Sequence, residues 1–193
     1  HKIKVMEHHF SGRKIEGLTL IDESGVSFSY EKENPQVKQN FTKCHELGHF
    51  LLKHTGSFFT ELKDDSCSIF ESEANLFSAF VLMPSIVLLS KIFYRHDSFS
   101  QVMKDLKVSA EALVYRLRDL FSHETTHSLD EVNHAIQDYK NGQLGRIMDM
   151  FSLLKSSIIA EYQQVMIDML AKFYHLLTRD SYLSDRQIYE LKD

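Results

Sequence analysis

Apolar and polar positions repeat every two residues at the start of the chain and with a helical period afterwards. Residues 2–10, 15–22 and 25–31 alternate or are rich in β-formers, and Ser11-Gly12 and Glu23-Ser24-Gly25 separate them. Side chains alternate faces along a strand, so the pattern predicts three short strands in an antiparallel meander. An edge beside the next helix would suit an extended peptide, held by backbone hydrogen bonds. Asn34-Pro35 marks the turn into that helix. Phe41, Leu47, Phe50, Leu51 and Leu52 are its expected packing residues, with Asn40 or Thr42 as caps and Gly56 past its end. Residues 57–67 show no period and read as an irregular polar connection. Helical character returns in the apolar run from Leu76 to Met83, which stops at Pro84.

Beyond that proline the pattern becomes entirely helical. Residues 101–106 and 109–117 read as two short helices with Ser109 capping the second. Ser128-Leu129-Asp130-Glu131 looks like the cap and first turn of another. Ile147, Phe151, Leu154, Ile158, Tyr162, Val165, Met169 and Phe173 recur at spacings of three or four. They make one apolar stripe along about 50 Å of helix. Such a stripe packs on the chain's own core or forms a surface for a second copy, with residues 143–178 as a possible homodimer contact. Residues 123–140 and 180–193 look too short and polar to cover all of it. The class predicted is α+β, a small antiparallel sheet with a helix pair, followed by a mostly helical C-terminal region.

Composition narrows the surroundings in which this fold works. The 193 residues suit one domain with an extension, or two small ones. A net charge of −5 offers no bulk attraction to nucleic acid. Around residues 98–120, Lys104, Lys107, Arg116 and Arg118 are balanced by Asp97, Asp105, Glu111 and Asp119. That balance argues against DNA binding and for a structural or docking role. The longest apolar stretch is interrupted at Pro84, which argues against a membrane span. No signal peptide stands at the start, although a chain opening at His1 reads as trimmed. Two cysteines, Cys44 and Cys67, make no disulfide framework, and a reducing cytoplasm fits them. Cys44 reads as a small buried thiol, and a redox role for Cys67 stays open.

The chemistry concentrates in His45-Glu46-Leu47-Gly48-His49. Residues four apart share a helix face, so His45 and His49 can hold one cation together. Glu46 then projects beside that ion, where a carboxylate can act as general base on a water. A third ligand is available in Glu71, which opens the second helix, and a His₂Glu set with one open position is what catalytic zinc requires. Asn75, four residues on, can orient a ligand imidazole by hydrogen bonding. Glu73 is the alternative ligand, although it points roughly 200° around the helix from Glu71. Ser68-Ile69-Phe70-Glu71 also reads as a capping box, a competing use of the same carboxylate. A second His-x-x-x-His, at His123 and His127, lacks an apolar stripe around it and reads as a loop with coincidental spacing. His54 and the remaining histidines show no ligand spacing.

The segments FTKCHELGHFLLKH (41–54) and ESEANLFSAFVLMP (71–84) resemble the ImmA/IrrE metallopeptidase family. Its members read approximately Phe-Thr-x-x-His-Glu-Leu-Gly-His, then Glu-x-x-Ala-Asn/Asp-x-Phe-Ala, then Leu-Met-Pro. The resemblance covers about residues 1–120 in organisation, and the two motifs in order carry it. It implies a gluzincin-like zinc peptidase of bacteria, phages and mobile elements that cleaves a partner transcriptional repressor. By position it implies His45, His49 and Glu71 as metal ligands and Glu46 as general base. It also implies that residues 96–122 are the helix-turn-helix-like segment that follows the family's peptidase core. Lys38-Gln39-Asn40 stands where the family often has an arginine, and Ser78 stands for the usual alanine. The expected organisation is a peptidase core over 1–95, the helix-turn-helix-like segment over 96–122 and a helical region over 123–193.

Overall fold

The computed structural model describes residues 3–10, 15–23, 25–54, 58–62 and 69–178. Four strands, β1 (Ile3–His8), β2 (Ile15–Asp22), β3 (Gly25–Glu31) and β4 (Phe58–Leu62), form one sheet in the order β1-β3-β2-β4. Among the described residues eight helical segments follow or interleave, and the class is α+β as the periodicity predicts. α1 (Gln36–Leu51) lies against β2 and β3, and α2 (Ile69–Leu82) packs along α1.

The antiparallel meander needs one correction, because the sheet is mixed. β2 and β3 pair antiparallel, with Thr19 opposite Phe28, but β1 runs parallel to β3 with Val5 opposite Phe28. The end of β3 captures the exit of β1. The Phe10 N–H donates to Glu31 Oε2 at 2.8 Å, and the Lys32 N–H donates to the His8 carbonyl at 2.9 Å. The edge of β2 left open is taken by β4, where Thr19 faces Phe59. So the stretch expected to be irregular contains a strand, in keeping with the β-favouring Phe58, Phe59 and Thr60. Residues 57 and 63–67, like Ser11, Gly12, Ser24, Gly56, Ser68 and 180–193, lie outside the described residues.

α1 begins directly after Pro35 and has no side-chain cap, so Asn40 and Thr42 sit inside the helix rather than at its start. Proline suits this place because it has no N–H to leave unpaired. After α2 the chain turns at Pro84 into α3 (Ser85–Leu88), which continues as a π-helical turn over Leu89–Tyr94. α4 (Phe99–Leu106), α5 (Ala110–Glu124) and α6 (Leu129–Lys140) are each capped by a serine, Ser98, Ser109 and Ser128. Ser128 and Glu131 form a full capping box. α7 (Gly145–Thr178) closes the described chain.

One apolar cluster joins these helices. It runs from Met83 and Leu88 through Leu117 and Phe121 to Tyr139, Ile147 and Phe151, all at most 1% exposed. Arg116 is buried among them and pins the Pro84 turn to α5. Its Nε donates to the Met83 carbonyl at 3.1 Å, its Nη2 to Ser85 Oγ at 2.8 Å, and its Nη1 meets Asp119 at 3.2 Å. The guanidinium also lies 4.0 Å from the Phe80 ring centroid. This cation is therefore spent inside the fold and offers nothing to a phosphate. No single described helix is long and apolar enough to cross a membrane. α2 and the helix after it reach that composition only as a pair bent by 44°.

Candidate metal centre

α1 turns a polar face inward. Thr42, His45, Glu46, Gly48 and His49 are buried, while Leu51 and Leu52 are 53% and 45% exposed. The expectation that those two leucines pack the helix is thereby corrected. Buried polar groups are stabilised by partners, and those of Glu46, His45 and His49 come from β2, from α2 and from His54 just past the end of α1.

α2 delivers the carboxylate. Glu71 Oε2 lies 3.0 Å from His45 Nε2, Glu71 Oε1 lies 3.3 Å from His49 Nε2, and the two Nε2 atoms are 3.0 Å apart. Among the described residues this is the group able to share one metal ion, with ligand atoms within 4.8 Å of one another. Asn75 Oδ1 is 3.0 Å from His45 Nδ1, the orienting contact expected of it. With the amide oxygen assigned there, Nδ1 donates and Nε2 keeps its lone pair. That lone pair then faces a carboxylate and a second imidazole nitrogen. Electron pairs so placed repel unless a positive charge sits between them, and a metal ion fits that need. Burial pushes the Glu71 carboxyl up, but hydrogen bonds and charge from His45 and His49 outweigh burial and bring it to about 2. Two imidazoles and one carboxylate are a nitrogen–oxygen donor set suited to a borderline divalent metal.

Close packing explains how the two helices approach so nearly. A Cβ on Gly48 would lie 3.0 Å from Phe77 Cδ1 and 3.3 Å from the Ala74 Cα, so a larger residue would push α2 away. Ser78, also buried, donates its hydroxyl to the Ala74 carbonyl at 2.9 Å and so fits where an alanine would.

Glu46 points to the sheet side, and its Oε2 accepts a hydrogen bond from the Thr19 hydroxyl on β2. Gly17, on the same strand, leaves room for the carboxylate. A Cβ there would collide with Oε1 and come within 2.5 Å of Thr42 Cγ2.

Glu73, the alternative ligand, is placed elsewhere: its Oε2 meets His54 Nε2 at 2.9 Å, and the side chain is 51% exposed. His54 in turn touches His49, so a residue without ligand spacing joins the site. Neither Thr19 nor Gly17 carried any signal in the sequence, because only strand pairing brings them to α1. Cys44 is a half-buried free thiol whose pKa burial raises, which disfavours the thiolate. Cys67 and the capping partner Ser68 lie outside the described residues. α5 ends at Glu124, so His123 is on the helix and His127 beyond it. They contact Asp119 and Glu131 separately, at 3.6 and 3.8 Å.

A cavity of about 800 Å³ reaches the site at Thr42 and Asn75. Its walls are mostly apolar, with Phe41 from α1, Leu76 and Ala79 from α2, and Ala112 and Tyr115 from α5. Lys38 and Glu16, an ion pair, stand at its other side.

The arrangement of two helices, a His-His-Glu cluster and an adjoining groove defines a metallopeptidase class of site. A family model for the IrrE N-terminal-like domain matches residues 1–118, and the chain belongs to that peptidase family. A search of curated proteins finds no match.

Proposed function

We propose that the chain is a zinc-dependent endopeptidase, gluzincin-like in its ligands, acting in the cytoplasm on a partner helix-turn-helix repressor. The cluster of His45, His49 and Glu71 with Glu46 next in sequence to the first histidine carries the reading. His45 and His49 would hold the ion through Nε2 and Glu71 through its carboxylate. A zinc ion there supplies a Lewis acid that polarises the scissile carbonyl and makes a water acidic. The Glu46 carboxylate takes the proton as that water attacks and returns it to the leaving amine. Thr19 holds Glu46 Oε2 by its hydroxyl, which fixes the carboxylate against β2.

The groove along α1, α2 and α5 offers apolar walls for side chains flanking the cleaved bond. The choice of a repressor as substrate rests on the family resemblance of the two motif segments. An intact Glu46 favours cleavage over simple capture, because holding a metal does not need it. Glu46→Gln should keep zinc and fold yet abolish cleavage of the partner repressor, since an amide cannot accept the proton. Full relief of repression by Glu46→Gln in cells would show sequestration instead and end the peptidase reading.

A further inference from the structure

Behind the ligand cluster, three side chains form a line from the metal centre to solvent. His49 Nδ1 lies 2.8 Å from His54 Nδ1, and His54 Nε2 lies 2.9 Å from Glu73 Oε2. We propose that His54 and Glu73 are positioning residues for His49, an inference that rests on His49 being a metal ligand. To offer a lone pair at Nε2, His49 must carry its proton on Nδ1. That proton needs an acceptor, and His54 Nδ1 is in place to accept it. His54 then carries its own proton on Nε2 and donates it to the Glu73 carboxylate. One tautomer at each ring satisfies both contacts. Acceptors of this kind hold a ligand imidazole in orientation and make its free nitrogen a better donor to a metal. Asn75 serves His45 in the same way, so each imidazole has its own acceptor.

The position of His54 is built, not accidental. α1 ends in a Schellman motif: the His54 N–H donates to the His49 carbonyl at 3.1 Å, and the Lys53 N–H to Phe50 at 3.3 Å. Lys53 takes the left-handed conformation, φ 57°, that turns the chain back. The Phe70 ring covers the imidazole at 4.7 Å between centroids. Backbone, ring and carboxylate thus clamp one residue against the far side of a ligand. Engagement with His54 also gives the Glu73 carboxylate a use other than binding the ion directly.

The test compares zinc dissociation constants by chelator competition in the full chain, with the melting temperature of the metal-free protein as control. His54→Phe should weaken zinc binding about 10–100-fold. His54→Gln, whose amide oxygen can accept the Nδ1 proton, should recover most of that loss. Glu73→Ala, at a half-exposed position, should weaken binding several-fold with an unchanged melting temperature. Wild-type affinity in both His54→Phe and Glu73→Ala, with zinc lost in His49→Ala, would overturn the proposal. Complete zinc loss in Glu73→Ala, equal to that in Glu71→Ala, would make Glu73 a ligand and overturn it too. If His49→Ala binds zinc normally, the ligand reading itself is wrong. Should His54→Phe fail to fold, His54→Gln and Glu73→Ala decide the question, since neither opens a cavity.

Discussion

Glu46 owes its position to an absent side chain. Gly17 faces it from β2, and a methyl group there would overlap the carboxylate and crowd Thr42. Helix and sheet are rigid neighbours, so the Glu46 side chain is what must move. Gly17→Ala should therefore retain zinc, because Gly17 lies outside the His45, His49 and Glu71 cluster. Turnover of the protein substrate should fall on the order of 100-fold, the usual cost of a catalytic group displaced by about 1 Å. Single-turnover rates and zinc content on the same sample check this, and an unchanged rate would remove Gly17 from the argument. The same contrast explains what could be read in advance. His45 with His49, and Glu71 with Asn75, are four apart on helices, and helical geometry alone puts each pair on one face. Thr19 and Glu46 are 27 residues apart, and their contact exists only because β2 pairs in one register. His54 carries no sequence signal, for a local reason. Glycine is the usual signal for the turn that brings it back, and Lys53 occupies that place.

Among the elements, those marked by a cap were legible and those that depend on a distant partner were not. Ser109 and Ser128 announce α5 and α6 because the capping hydrogen bonds are local. β4 and the parallel docking of β1 are set by which sheet edges stand open, a property of the assembled sheet. The inward face of α1 differs from its apolar pattern in another way, since it buries His45, Glu46 and His49 while Leu51 and Leu52 at its end are exposed. A helix that buries its reactive side chains breaks the local apolar pattern at the functional site. The groove is a joint product of α1, α2 and α5, and substrate selection should lie there. Leu76 lines it and is 46% exposed, so a polar substitution costs little stability. Leu76→Arg should leave zinc content and melting temperature near wild type while cutting kcat/KM for the protein substrate by about tenfold or more. That loss corresponds to about 1.4 kcal/mol of transition-state binding. A short peptide spanning only the cleaved bond should be less affected. Equal loss on both substrates would place the defect at the metal centre and remove the groove from recognition.

At the scale of the whole molecule, α7 does two different things along its length. Ile147, Phe151, Leu154 and Ile158 are at most 4% exposed and belong to the shared core. Every residue from Glu161 to Lys172 is exposed, including Tyr162, Val165, Met166, Met169 and Leu170. The stripe that looks continuous in sequence is thus divided at about Ile158, and the proposed association belongs to its outer half alone. Tyr162, Met166 and Met169 are spaced four and three, the spacing at which two helices pair. The outer half presents a run of exposed apolar side chains, and a second copy of the chain is the proposed cover. Truncation separates the two halves. A chain ending at Ala160 should keep its zinc and its melting temperature and remain monomeric in sedimentation equilibrium. The full chain should associate as its concentration rises. A chain ending at Gly142 should lose its cooperative unfolding transition. Four buried side chains at about 2–5 kcal/mol each match the whole stability of about 5–15 kcal/mol that a domain commands. If the full chain stays monomeric at every concentration while the chain ending at Ala160 folds equally well, self-association through α7 is rejected.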